Sequence, residues 1–273
     1  MASRKSNKKS KRLSQRLLHW GIGLSTLAVA VLLAMFALLH YGLMQTMAYY
    51  AGKCSLPTSE IVGIDVSHHQ GKIAWDSVCF NYNSRRILSA QLDTSHLRRR
   101  VDFAYAKATE GETMHDWRYE YNRQGIRQNK IRFGAYHFYS YQADPAKQAE
   151  NFIAYAGLQS GDLPPVLDIE GEPAQTPDQL RRSVKIWLTA VEKHYGCKPL
   201  IYTYHKFYKD YFEKQPDFAD YLFWIARYPY KPSVAYQFWQ CSDRGRIIGC
   251  PLHAVDINVF NGNREAFNQL QVP

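Results

Sequence analysis

The feature that most restricts the fold is the alternation of short apolar segments with amphipathic ones after residue 60. Short apolar segments bounded by Gly, Pro, Asn or Asp predict buried strands, whereas apolar residues spaced three and four apart predict helices. We expect helices near residues 117–129, 145–156 and 177–194. Repeated strand–helix units favour an α/β fold, an irregular TIM-like (β/α) barrel. Its strands are expected near residues 60–66, 101–107, 132–138, 165–170, 199–203, 222–228, 235–241 and 254–260.

One predicted strand, residues 163–171, carries two carboxylates within the sequence LPPVLDIEG. Because strand side chains alternate between faces, Asp168 and Glu170 point the same way, about 6–7 Å apart along the strand. Like charges on an apolar strand are costly unless the strand ends at a cleft. There, repulsion and partial desolvation raise one pKa and leave an acid beside an ionised carboxylate. This arrangement is typical of a glycosidase; the alternative is a strand end with two solvated acids.

Polar and aromatic residues stand at the ends of almost every predicted strand. In a (β/α) barrel the carboxyl ends of the strands form the active site, so these residues are expected to share one rim. Taken alone, each has an ordinary structural explanation; His137, for example, suits a hydrogen-bonded core position. Their coincidence favours a catalytic site built from Asp65, Glu110, Tyr136, His137, Tyr139, Asp168, Glu170, Trp224, Tyr228, Trp239, Gln240 and Asp256.

The N-terminal region differs from the rest in charge and hydropathy. A tail holding seven Lys and Arg is followed by an uncharged apolar segment that continues to residue 44. About 20 apolar residues cross a bilayer as a helix, and basic residues mark the cytoplasmic side. A cleaved signal peptide is the alternative, although its apolar part is usually about 7–15 residues long. We predict a cytoplasmic tail (1–19), a transmembrane signal anchor in the lipid bilayer (20–44), a linker (45–59) and an extracytoplasmic domain (60–273).

The net charge of +10 arises mainly from this tail. Without its seven basic residues, 27 Lys and Arg stand against 24 Asp and Glu, a net charge of +3. A mildly basic domain gives no electrostatic basis for binding nucleic acid, which we exclude as an expected partner.

All five cysteines follow the apolar segment, in a compartment that is expected to be oxidising. Cys241 and Cys250 flank a Gly-containing segment, and we predict a disulfide between them across a hairpin turn. Cys54 and Cys79 are candidates for a second pair, which would leave Cys197 free. The sequence contains no CxxC and no Cys/His spacing typical of a zinc site, so no metal and no cofactor are expected.

Seven short motifs occur in a fixed order: GIDVSHHQG, KATEG, AYHFY, LDIEG, FWIARY, WQCSDRG and VDINVFNG. In this set and order the chain resembles the family 25 glycoside hydrolases over residues 63–262. The resemblance implies an irregular barrel that ends in antiparallel strands and a lysozyme-type muramidase acting on peptidoglycan glycan strands. The implied reaction is cleavage of the β-1,4 bond between N-acetylmuramic acid and N-acetylglucosamine.

Matching the motifs gives each carboxylate an implied role. Glu170 would be the general acid that protonates the leaving oxygen. Asp168 would be the ionised partner that steadies the N-acetyl group of the substrate as internal nucleophile. Asp65 would help to position sugar and water, and Asp256 would tune the charge of the site. Tyr136 and Tyr228 match aromatic positions that face the sugar, and further substrate contacts are expected from His137, Tyr139, Glu110, Trp224, Trp239 and Gln240.

Two other functions are compatible with the same residues. A membrane-tethered peptidoglycan-binding protein without turnover would be expected to lack the acid, which is present as Glu170. A metal-dependent sugar deacetylase would use Asp65, His68, His69 and His137. Against it, the sequence has no HExxH motif, and adjacent histidines on a strand face opposite ways.

The family resemblance has one departure. Residues 79–100 form a longer connection after the first strand than is usual in the family. The arginines at positions 98 to 100 within it are predicted to be a solvated run rather than a substrate contact. The insertion affects the outer shape of the cleft and not its floor.

Overall fold

The computed structural model describes residues 26–44, 46, 61–81, 98–228 and 230–273. The chain forms two units, Met1–Ala48 and Tyr49–Pro273. In the first, helix α1 (Thr26–Met44) has a mean hydropathy of 2.2 and is long and apolar enough to cross a membrane, properties that it shares with a signal sequence. The predicted basic tail lies outside the described residues, as does the predicted linker apart from Thr46.

The second unit is an eight-stranded mixed barrel with helices on its outside. Its parallel strands follow the order β1, β4, β6, β7, β8, β9 and β10, and β11 closes the barrel by pairing antiparallel with β10 and β1. All eight predicted strands are confirmed. The strands are β1 (Ile61–Val66), β2 (Cys79–Asn81), β3 (Arg98–Arg100), β4 (Phe103–Glu110), β5 (Met114–His115), β6 (Arg132–Phe138), β7 (Val166–Asp168), β8 (Leu200–Tyr204), β9 (Phe223–Ala226), β10 (Phe238–Ile248) and β11 (Cys250–Phe260).

This barrel differs from a TIM barrel, which has eight parallel strands. The difference arises because β10 returns directly into β11 through a tight turn at Gly249, without a crossover helix. Gly249 has φ 91°, and a Cβ there would lie 2.8 Å from the carbonyl oxygen of Ala74, so the turn requires glycine. Because β11 runs antiparallel to β1, Asp256 near the middle of β11 lies opposite Asp65 at the carboxyl end of β1.

The helices begin and end where local signals predict. Helix α3 starts after Asp144, whose side chain accepts from two backbone N–H groups, and it ends before Gly157 in the left-handed conformation. Helix α4 starts with a capping box between Thr176 and Gln179. The predicted helices are confirmed, and two short ones were not predicted. The helices are α2 (Tyr119–Gln128), α3 (Pro145–Ala156), α4 (Pro177–Tyr195), α5 (His205–Tyr211) and α6 (Arg264–Gln269).

Aromatic side chains fill the barrel below its carboxyl end. The rings of Tyr105 and Trp224 lie 5.0 Å apart although their strands do not pair, and Phe103 lies 5.2 Å from Phe238 in the same way. These contacts therefore cross the interior of the barrel. A second apolar layer, including Phe152 and the fully buried Trp187, packs between the strands and the outer helices. The filled lower half leaves open space at the carboxyl ends of the strands.

The predicted disulfide between Cys241 and Cys250 is wrong. Cys250 is a buried free thiol, whereas Cys241 is disulfide-bonded. Strand β10 does not turn after Cys241 but continues to Ile248, so that Cys250 lies opposite Ile247 at the far end of the hairpin. The suggested bond between Cys54 and Cys79 is also wrong, since Cys79 is free; Cys197 is free as expected.

The predicted solvated arginine run forms strand β3, which pairs with β2 beside β10. Arg100 is exposed, and neither Arg99 nor Arg100 lines the cavity. Arg99 contacts the carboxylate of Asp102 at 3.4 Å, and Arg100 donates to the carbonyl oxygen of Asn129 at 2.9 Å. These groups hold the extension against the barrel. The rest of the insertion, residues 82–97, lies outside the described residues.

Candidate active site

A cavity of about 500 Å³ opens at the carboxyl ends of the parallel strands. Most of the predicted rim residues line it, because inward-facing positions of neighbouring strands meet there. The predicted residues in its wall are Asp65, Glu110, Tyr136, Asp168, Glu170, Trp224, Tyr228, Gln240 and Asp256.

Three predicted substrate contacts, His137, Tyr139 and Trp239, do not line the cavity. Each follows an inward-facing residue, and strand alternation turns it toward the outer helices. His137 is fully buried between Thr109 at 2.7 Å and Gln148 at 3.1 Å, and burial lowers its pKa to about 4. Tyr139 and Trp239 are buried in the outer apolar layer. These three residues therefore support the barrel wall and do not face a substrate.

Asp168 and Glu170 both line the cavity at the end of β7. Their neighbours in the chain, Leu167 and Ile169, are fully buried on the opposite side. Burial raises the pKa of Asp168 well above its ordinary value, and the neighbouring Glu170 raises it further. Burial also raises the pKa of Glu170, against a hydrogen bond from Tyr204 that lowers it. The Oδ1 atom of Asp168 is buried and has no hydrogen-bond partner among the described residues.

Asp65, at the end of β1, is held by two side-chain amides. Its Oδ2 atom accepts from Asn258 at 2.7 Å and from Gln240 at 2.9 Å. The indole of Trp224 donates to the Asn258 oxygen at 2.9 Å, which leaves the amide nitrogen of Asn258 turned toward Asp65. The Gln240 amide is fixed in the same way, because its oxygen accepts from the hydroxyls of Tyr202 and Tyr228. The network orients the Asp65 carboxylate without a positive charge.

Asp256 lies directly opposite Asp65 across the β1–β11 pair. Burial raises the pKa of Asp256 well above its ordinary value, and the adjacent Asp65 raises it further. The pKa of Asp65 is also raised by burial, although its hydrogen bonds with Asn258, Gln240 and Asp256 lower it. A hydrogen bond between the two carboxyls lowers the pKa of Asp65 and raises that of Asp256, the directions expected when Asp256 is the donor and Asp65 the acceptor.

Six acidic side chains line this cavity, and the barrel that carries them is similar to known proteins. The model of Glycosyl hydrolases family 25 matches residues 64–250. The chain belongs to this glycoside hydrolase family. It is a glycoside hydrolase of the lysozyme type, and membership supports action on peptidoglycan. The family match ends at residue 250, before Asp256. Asp256 is therefore assigned to the cavity by its position opposite Asp65 and in the cavity wall.

Individual relatives agree with this assignment. Lysozyme M1 of Streptomyces globisporus is 33% identical over 223 residues, 76% of this chain and 69% of that protein. The uncharacterized protein YegX of Escherichia coli K12 is 36% identical over 219 residues, 77% of this chain and 73% of that protein.

Two solved structures also resemble the family 25 domain. The bacterial lysozyme from Streptomyces coelicolor has a TM-score of 0.65 at 30% identity and covers 78% of this chain and 98% of its own. A family 25 glycosyl hydrolase from Bacillus anthracis has a TM-score of 0.65 at 29% identity and covers 78% of this chain and 94% of its own.

Several cavity residues of this family 25 hydrolase were missed from the sequence. Lys107 forms an ion pair with Glu110 at 2.5 Å and lies 4.7 Å above the Phe138 ring. It was overlooked inside an apolar strand, although the KATEG motif contains it. Tyr202 and Tyr204 line the cavity from β8. They are two residues apart in the sequence LIYTY, and this spacing places both side chains on the same face of the strand.

The histidines considered as metal ligands do not form one cluster. His69 lines the cavity, His68 contacts Asp116, and His137 is on the opposite side of its strand. Among the described residues, no group of three or more His, Cys, Asp or Glu side chains is arranged to hold a metal ion.

Proposed function

We propose that the enzyme is a muramidase that cleaves the β-1,4 bond between N-acetylmuramic acid and N-acetylglucosamine, with Glu170 as general acid and Asp168 as its partner. The observation that carries this proposal is the pair of neighbouring carboxyls at the end of β7, both with raised pKa values and both in the cavity wall. A general acid must hold its proton near the working pH, and repulsion within such a pair keeps one carboxyl protonated beside an ionised one. We assign the proton to Glu170 and the negative charge to Asp168.

In the first step, Glu170 donates its proton to the glycosidic oxygen as the bond from that oxygen to C1 breaks. The carbonyl oxygen of the substrate's own acetamido group attacks C1, and the leaving sugar departs as an alcohol. Water then attacks C1, the bond between C1 and the acetamido oxygen breaks, and Glu170 recovers a proton from that water. This substrate-assisted route does not require the short carboxyl separation of a direct nucleophile, about 5–5.5 Å.

Asp168 contributes by accepting the acetamido N–H. Its Oδ1 atom is buried without a hydrogen-bond partner among the described residues, and a buried acceptor of this kind needs a donor. A carboxylate at the acetamido nitrogen stabilises the positive charge that develops there as the ring closes. The orphaned oxygen thus supports the role that the family resemblance implies.

Asp65 and Asp256 complete the site. Asp65 is oriented by Gln240 and Asn258 and accepts sugar hydroxyls or the attacking water. Asp256 holds a hydrogen toward Asp65 and limits the negative charge in the cavity. Tyr136, Trp224 and Tyr228 provide apolar wall against the sugar rings.

The two alternative functions fit these observations less well. A binding protein without turnover has no need for two carboxyls with raised pKa values in one cavity. A metal-dependent deacetylase is disfavoured because His137 points away from the cavity and because the described residues hold no ligand cluster.

The substrate and α1 support the location that we propose. Peptidoglycan lies outside the cytoplasmic membrane, and α1 (Thr26–Met44) has the length and hydropathy of a membrane span. The chain is a single-pass membrane protein with a cytoplasmic tail (1–19), an anchor (20–44), a linker (45–59) and an extracytoplasmic catalytic domain (60–273).

Reducing-end analysis tests the proposed reaction. Purified peptidoglycan is digested with the protein, and the new reducing ends are reduced with borohydride and identified. A muramidase yields reduced N-acetylmuramic acid. New reducing ends of N-acetylglucosamine would contradict the proposal. Release of acetate without new reducing ends would also contradict it and would indicate a deacetylase.

A further inference from the structure

Trp117 is the most exposed Trp, Tyr or Phe among the described residues of the barrel unit, with 66% of its surface exposed. A single exposed aromatic residue is ordinary on a protein surface. Trp117 differs because its surroundings hold it in place and because histidine rings connect it to the cavity. Both features involve the short helix His68–Gln70 that follows β1.

Asp116 fixes the position of Trp117. Its side chain is fully buried, and its Oδ2 atom accepts from the backbone N–H and from Nδ1 of His68, at 2.9 and 2.7 Å. Its Oδ1 atom accepts from the backbone N–H of Arg118 at 2.9 Å. One carboxylate therefore joins the segment on either side of Trp117 to the end of β1. An indole that is held by its backbone loses little conformational entropy when it binds a ligand.

A row of rings leads from Trp117 into the cavity. The Trp117 and His68 rings lie 5.9 Å apart, and His68 lies 4.1 Å from His69, which lines the cavity. The Arg118 guanidinium packs 4.4 Å from the Trp117 ring. These contacts leave two thirds of the indole open beside the mouth of the cavity.

We propose that Trp117, His68 and His69 form an outer subsite that binds a sugar ring of the glycan strand beyond the residues at the cleaved bond. This inference extends the proposed function. A pyranose ring has an apolar C–H face that packs on an indole and polar hydroxyls at its edge. Because Nδ1 of His68 donates to Asp116, the Nε2 atom is the ring nitrogen that remains for a hydrogen bond with such a hydroxyl.

The subsite favours long strands over short ones. A short oligosaccharide fills the cavity without reaching Trp117, whereas a strand that continues past the rim contacts the indole. Removal of the ring should therefore weaken binding of strands and leave short substrates unaffected. The expected loss is about tenfold in affinity for strands, the size of one aromatic stacking contact.

The test compares Trp117→Ala, Trp117→Phe and the control Ile186→Ala, which removes an exposed apolar side chain from α4, outside the cavity wall. Each change is also made in a Glu170→Gln background, in which Kd is measured for glycan strands freed of stem peptides and for a tetrasaccharide. We expect Trp117→Ala to raise Kd for strands about tenfold and to leave Kd for the tetrasaccharide unchanged. Trp117→Phe should retain most of the strand affinity, and Ile186→Ala all of it.

The active enzyme provides a second readout. Trp117→Ala should raise KM for strands with an unchanged kcat, and should leave both constants unchanged for the tetrasaccharide. Equal strand Kd values for Trp117→Ala and its parent would overturn the subsite, whether or not the wild-type enzyme hydrolyses the strands. Loss of strand affinity in a protein that shows no hydrolysis would support the subsite and contradict the proposed reaction.

Discussion

Asp65 and Asp256 face each other across the antiparallel pair of β1 and β11 and share one hydrogen bond. Since Asp65 also accepts from Gln240 and Asn258, the shared hydrogen is held on Asp256. Each of these neighbouring carboxyls therefore opposes ionisation of the other. A carboxyl pair of this kind serves as a fixed acceptor on one side and a fixed donor on the other.

Glu170→Gln should remove nearly all turnover and preserve the fold. Glutamine keeps the shape of the side chain but has no proton to give the leaving oxygen, and general acid catalysis is worth about 10²–10⁴ in rate. Hydrolysis of purified peptidoglycan measures the loss, and strand binding should persist. The control is Glu172→Gln, the same change at an exposed position two residues away. Activity close to wild type in Glu170→Gln would exclude Glu170 as the acid.

Gln240→Leu should lower both stability and activity. The change removes a donor to Asp65 and leaves the hydroxyls of Tyr202 and Tyr228 without their acceptor. The loss of buried hydrogen bonds should reduce the free energy of unfolding by about 1–3 kcal/mol. Denaturant unfolding measures this change. The control is Gln237→Leu, because the Gln237 side chain donates to the carbonyl oxygen of Asn261 in an exposed hydrogen bond. An unchanged kcat in the folded variant would show that the orientation of Asp65 does not matter.

Lys107→Met should move the pH optimum upward. The Lys107 charge lowers the pKa of both Asp168 and Glu170, so its removal raises both values. Ionisation of Asp168 and loss of the Glu170 proton then both occur at higher pH, and both limbs of the profile of kcat/KM against pH shift in that direction. Lys147→Met, which removes an exposed lysine paired with Glu112, should leave the profile unchanged. A downward shift in Lys107→Met would contradict the assignment.

Asp256→Asn should weaken the dependence of stability on pH. The pKa of Asp256 is raised in the folded protein above the ordinary value of 3.8, so the folded state binds this proton more tightly than the unfolded state. Stability from this group is therefore greatest at low pH and falls as pH rises through the raised pKa. Asparagine keeps a donor toward Asp65 and does not titrate. Melting temperatures from about pH 4 to about pH 8 should fall less in Asp256→Asn than in wild type or in the exposed control Asp76→Asn.

The orientation of the chain in a membrane can be tested by protease protection. The full chain is produced in bacteria with different tags at its two ends, and protease is added to spheroplasts. We expect digestion of the C-terminal tag and protection of the N-terminal one, because basic residues hold that end in the cytoplasm. A soluble product without its N-terminal tag would instead indicate a cleaved signal peptide.

Strand alternation accounts for the part of the site that the sequence predicted. Asp168 and Glu170 both face the cavity because the alternation of β7 continues for two residues past its last residue, Asp168. His137 and Tyr139 belong to the same motif as Tyr136, but alternation turns both away from the cavity. The motif AYHFY therefore contains two faces of a strand, and only the face with Tyr136 lines the cavity.

Pairings between distant strands could not be predicted in this way. The amides that hold Asp65 come from Gln240 and Asn258, which are 175 and 193 residues further along the chain. The wrong disulfide has a related cause. The segment after Cys241 contains glycine and polar residues that resemble a turn, yet it pairs with β2 and β11 and continues as a strand.

The late position of β11 in the chain has a consequence for biosynthesis. Asp256 and Asn258 are among the last residues of the barrel to leave the ribosome, and Asp65 is among the first. Until β11 inserts beside β1, the carboxylate of Asp65 lacks its partners and the barrel stays open along one edge. A nascent chain whose β11 has not yet emerged therefore carries an unassembled site. The enzyme becomes able to cut its polymer only when the catalytic domain has fully emerged.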